Sequence, residues 1–137
     1  MHEATLRAFF RGHASAAELR QDIEGAAAPR GHGVTGYSIS DMGSDFEVTA
    51  PHLTRLCRAV MEGELPAQML EAVGNCLMFS ERFHWDSETE ASGRVSAVAH
   101  CWAVPVANYP LTAANARKFE RWLLTGENRL EASPGAV

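Results

Sequence analysis

Thiols are scarce in this 137-residue chain: Cys57, Cys76 and Cys101 are the only three, far apart and without a CxxC pair. That spacing excludes a zinc knuckle or a thioredoxin-type redox motif, and it fits reduced thiols in a cytoplasmic protein. Long apolar runs are also missing. The longest, from Val95 to Val106, is broken by Ser96 and His100 and falls short of the roughly 20 residues a membrane-spanning helix needs. The opening MHEATLRAFFRGH interleaves charge with apolar residues, so it does not read as a secretory leader. The sequence therefore predicts no membrane association and a cytoplasmic location. No repeat of fixed period is present.

Positive charge is the other shortage, with 12 Lys and Arg against 17 Asp and Glu, a formal net charge of −5. The deficit is local. Residues 1–40 carry four acids and four bases, residues 41–90 ten and three, and residues 91–137 three and five, so the segments sum to 0, −7 and +2. An acidic middle repels phosphate backbones and attracts a basic protein, so no nucleic-acid partner is expected. With 46% hydrophobic and 21% charged residues, the composition is that of a folded chain able to bury a core without disulfides. We expect a single helical domain over 1–127 and a mobile tail over 128–137, where little can pack.

Periodicity predicts a mainly α protein, a compact bundle of five or six helices with a small β-hairpin near 37–48. Leu6, Phe9 and Phe10 stand at helical spacing before Gly12, and Ser15-Ala-Ala-Glu18 is a capping box for a second helix reaching about Ala27. Thr49 with Pro51 opens a third, striped by Leu53, Leu56, Cys57 and Val60 and ended by Gly63. A central helix follows, in which Met69, Leu70, Val73, Cys76, Leu77, Ser80 and Phe83 keep the spacing for about five turns. Gly74 inside it weakens the helix but permits close approach by a neighbour. After a polar break over 86–93, Val95, Val98, Ala99 and Trp102 face one way until Pro105. Thr112 then caps a last helix with Phe119, Trp122 and Leu123 inside and Gly126 at its end.

Gly31-His-Gly33-Val-Thr-Gly36 spells GxGxxG. It follows a helix and precedes an extended segment, the reverse of a dinucleotide site, and reads as a turn. His84, Asp86 and His100, with Cys101 beside them, offer zinc-type ligands. Adjacent helical residues such as His100 and Cys101 diverge by about 100°, however, so no metal or other cofactor is expected. Ser80 and His84 stand four apart but lack a nucleophile elbow, and the cysteines belong to apolar stripes. No residue is assigned a catalytic role, and the chain is not expected to be an enzyme.

The acids themselves remain. Asp41, Asp45 and Glu47 lie beside Tyr37 and Phe46, and Trp85, Asp86, Glu88 and Glu90 beside Phe83. Aromatics flanked by carboxylates suit a protein interface, the rings anchoring and the charges steering a basic partner. Three stretches, SERFHWD at 80–86, SAVAHCWAVPVANYPLT at 96–112 and RKFERWLLTGE at 117–127, resemble the small helical bacterial immunity proteins of the colicin D immunity kind. That resemblance implies an acidic inhibitor of a basic toxin, often a nuclease, with Trp85 and Asp86 in the matching aromatic–acidic stretch. Glu88 and Glu90 join by charge, and Asp41, Asp45 and Glu47 by local composition. Two other readings stand beside it: a small enzyme or metal-binding domain using His84, Asp86 and His100, and a regulatory or scaffold subunit of a bacterial complex.

Overall fold

A computed structural model describes residues 1–29, 35–86 and 88–131. Six α-helices are present among them: α1 (Glu3–Phe10), α2 (Ala16–Ala26), α3 (Ala50–Met61), α4 (Met69–Phe79), α5 (Glu90–Ala103) and α6 (Ala113–Thr125), with a 3-10 turn at Pro105–Ala107. Four short strands complete the fold: β1 (Ala27–Pro29), β2 (Thr35–Tyr37), β3 (Phe46–Glu47) and β4 (Phe83–His84). The architecture is the predicted mainly helical bundle with a small β component.

Local chemistry sets most boundaries. The Ser15 hydroxyl accepts the Glu18 amide at 3.1 Å and Glu18 returns to the Ser15 amide at 3.4 Å, so α2 starts at its capping box. Thr112 accepts the Asn115 amide at 3.1 Å and opens α6. Gly12 and Gly126, at φ 78° and 81°, carry the left-handed turn past α1 and α6 that a side chain would resist.

Two expectations need correction. The central helix stops at Phe79, where the Ser80 hydroxyl accepts the amides of Arg82 and Phe83 at 2.9 and 3.1 Å and turns the chain out of the helix. Phe83 is thus a buried strand residue, and Ser80 and His84 share no helix face. The second correction concerns pairing. Residues 35–37 pair antiparallel with 27–29, while 46–47 pair in parallel with 83–84, so the strands at the two ends of the 37–48 stretch do not pair with each other. Of the GxGxxG pattern, residues 31–34 lie outside the described part, and Thr35 and Gly36 belong to β2.

The core is one continuous cluster to which all six helices contribute. α3 packs on α6 and α4 on α5. Trp102 is fully buried and meets Phe119 edge-on at 5.8 Å, and Tyr109 also meets that ring edge-on, at 6.1 Å. α4 lies so close to the end of α5 that a Cβ on Gly74 would stand 2.5 Å from the Ala103 amide nitrogen and 2.8 Å from the Trp102 carbonyl carbon. Backbone cannot yield as a side-chain tip can, so the two helices depend on that glycine.

Gly74→Ala sets about 1 kcal/mol of helix propensity against about 1–3 kcal/mol of overpacking, and the contact with backbone makes the second term win. Gly93, in α5, has open space where its Cβ would go, so Gly93→Ala should stabilise by about 0.5–1 kcal/mol. Urea unfolding of the two variants is expected to move in opposite directions.

Candidate acidic binding surface

The parallel β3–β4 pair joins the two acidic segments that are 37 positions apart in sequence. Its backbone bonds run from the Phe46 amide to the Arg82 carbonyl and from the Val48 amide to the His84 carbonyl, both at 2.8 Å. Phe46 stands opposite Phe83 and Glu47 opposite His84. Because side chains alternate along a strand, the two phenyl rings turn inward and the Glu47 and His84 side chains are exposed. Phe46 and Phe83 meet edge-on at 6.1 Å, and Phe10 lies against both, at 6.0 and 6.1 Å. The acidic surface is therefore backed by aromatic packing, not by a free loop.

Asp41, Asp45, Glu47, Asp86, Glu88 and Glu90 are all exposed, and Trp85 is half-buried against the core. Asp45 meets Arg82 at 3.2 Å. Asp86 accepts the Glu88 amide at 2.9 Å, a turn that fixes the chain just before α5. Thr89 caps α5 by accepting the Ser92 amide at 3.1 Å, which makes Glu90 a first-turn helical residue, paired with Arg94 at 3.5 Å, instead of a loop residue. Exposed pairs of this kind are worth at most about 1 kcal/mol and leave the surface acidic. The carboxylates of Asp41, Glu47 and Glu88 make no bond among the described residues.

Glu3 was not legible as part of this region. It is fully buried, and its Oε1 accepts the Met42 amide at 3.1 Å while its own amide donates to the Ser40 carbonyl at 3.0 Å. Two bonds from one residue of α1 thus hold the chain on both sides of Asp41. A sequence shows a glutamate in the first turn of a helix, a position that is usually solvated.

The metal reading finds no geometric support. Among the described residues, no group of three or more His, Cys, Asp and Glu side chains is placed to hold an ion. His84 and Asp86 sit at and just past β4, and His100 is exposed near the end of α5, while its neighbour Cys101 is buried. Burial pushes the thiols up, Cys101 to about 11 and Cys76 to about 12, with Cys57 further still. None of these thiols is a ready nucleophile near neutral pH.

Sequence reading also passed over His52. Its Nδ1 accepts the Thr49 amide at 2.9 Å, doing the work a Glu or Gln does in a capping box. Its ring packs on Phe10 at 5.1 Å and on Phe46 at 5.0 Å. Burial holds its pKa below the ordinary histidine value, against the opposing pull of Glu47. The unfolded chain therefore binds the His52 proton first as pH falls below about 6.5, and the stability present above that pH is lost as pH falls towards the folded value.

Stability measured by urea unfolding at pH 7.5 and 5 should fall less in His52→Gln than in the parent, since glutamine can cap without titrating. The ring packing lost in that variant is the same at both pH values and cancels in the comparison. All three thiols should resist a soluble disulfide reagent at pH 8 in the native state and react together on unfolding.

Comparison with protein-family descriptions, curated proteins and solved structures finds no match to this chain.

Proposed function

We propose that this chain is a non-enzymatic binding protein of the immunity or antitoxin type, which inhibits a basic toxin domain in the cytoplasm by covering its cationic surface. The observation that supports the reading is the β3–β4 pair, which joins the strand carrying Glu47 to the strand that leads into Asp86, Glu88 and Glu90, over the Phe46 and Phe83 rings. A surface that unites carboxylates from two segments can meet several cations at once, which steers encounter and fixes register. The Phe46 and Phe83 rings hold its backbone in place, so little ordering entropy opposes binding. The resemblance of the 80–86, 96–112 and 117–127 stretches to colicin D immunity-like proteins points the same way. No helix among the described residues is long and apolar enough to cross a membrane.

Reversing Glu90 would disturb the start of α5, and reversing Asp86 would remove the turn at Glu88. Asp41→Lys, Glu47→Lys and Glu88→Lys together change the surface charge without breaking a described bond. Affinity capture at low salt followed by mass spectrometry should yield a basic partner in stoichiometric amount, released as salt rises. The triple variant should weaken that complex by about 2 kcal/mol, roughly thirtyfold. An acidic partner, or binding unchanged in the triple variant, contradicts the proposal.

A further inference from the structure

Basic residues also adjoin the aromatic cluster, beside its Phe10 and His52 rings. A cleft of about 530 Å³ opens there between the end of α1 and the first turns of α3, lined by Phe10, Pro51, His52, Thr54, Arg55 and Arg58. We propose that this cleft binds a small organic phosphate, gripped by Arg55 and Arg58 beside His52.

Arg55 carries most of the argument. Its guanidinium carbon lies 5.1 Å from the centre of the Phe9 ring, and among the described residues it pairs with no carboxylate. The ring holds the guanidinium plane in place at low entropic cost and leaves its N–H edge uncompensated. Arg11, likewise without a carboxylate, stacks at 5.3 Å on Phe46, a ring that touches both Phe10 and His52 in the cleft wall. Arg58 is half-committed: its Nε donates to Glu120 at 2.9 Å, and its terminal nitrogens stay available. Guanidinium forks match the spacing of phosphate oxygens, so two of them at one opening favour that anion.

The surroundings add to this and also set the location. Pro51, His52 and Thr54 belong to the first turns of a 12-residue helix, whose dipole is positive at that end. His52 has its Nδ1 occupied by the Thr49 amide, which leaves Nε2–H as the ring's donor. A second cleft shares Arg55 and Arg58 and is also lined by Phe9, the ring under Arg55, but Glu62 and Glu64 in its wall repel an anion. The phosphate therefore goes to the His52 side, where no acid lines the wall and Glu47 acts on the His52 ring from outside the lining, and Phe10 and Pro51 are left to contact the organic part. The volume suits a ligand of that size. This binding is separate from the acidic surface and does not require the proposed toxin partner.

Titration of the full chain followed by amide NMR distinguishes the possibilities, using AMP, inorganic phosphate and sodium chloride at matched ionic strength. AMP should give saturable shifts concentrated in residues 9–12 and 49–58, with half-saturation at about 1 mM or below and several-fold tighter than inorganic phosphate. Arg55→Gln should weaken AMP at least tenfold with the spectrum otherwise intact, while Arg117→Gln on α6 should leave it unchanged. Equal affinity for phosphate and AMP assigns the cleft to the free ion and overturns the organic ligand. Shifts that match chloride, that centre on α6, or that survive Arg55→Gln overturn the site itself.

Discussion

Backbone hydrogen bonds of the β3–β4 pair, among them those from Phe46 to Arg82 and from Val48 to His84, decide what this molecule can present. They fix the register in which Phe46 meets Phe83 inside and Glu47 meets His84 outside. A shift of one residue would exchange the faces, exposing the rings and turning the acid inward, so the aromatic cluster specifies the register as much as the hydrogen bonds do. A two-residue strand pair is weak alone. It persists because Phe10, from α1, packs on both rings and ties the pair to the helical core.

The helices supply the frame. Gly74 lets α4 settle against the end of α5, and the capping threonine at 89 sets where α5 begins. The return from α4 through β4 to α5 is thus short and fixed at both ends. Glu3 does the same for the other acidic segment by holding Ser40 and Met42. Both signs of charge adjoin the Phe10, Phe46, His52 and Phe83 cluster: Glu47 follows Phe46 on β3, Arg11 stacks on the Phe46 ring, and Arg55 and Arg58 line the cleft with Phe10 and His52. A net charge of −5 hides that arrangement.

Sequence reading succeeded where the signal is local. Ser15 with Glu18, Thr49 with Pro51, Thr112, and the glycines at 12, 63 and 126 mark helix ends through bonds made within a few residues. It extended the central helix too far because Ser80 and Phe83 continue the three- and four-residue spacing, and periodicity cannot show that the Ser80 hydroxyl bonds the next amides. The partner of β3 was out of reach for a different reason: pairing across 37 positions depends on which surfaces the helices bring together. The acidic residues were recognised individually, but the pairing of β3 with β4 between their two segments, the buried role of Glu3 and the cleft built from α1 and α3 all arise from tertiary contacts.

The central claim is that residues 41–47 and 84–90 act as one binding surface. Hydrogen–deuterium exchange of the chain with and without its captured basic partner tests this most directly. The account predicts that peptides covering 41–48 and 83–90 slow together on binding, with α6 unchanged. Slowing in only one of the two segments, or on α6 in their place, contradicts it.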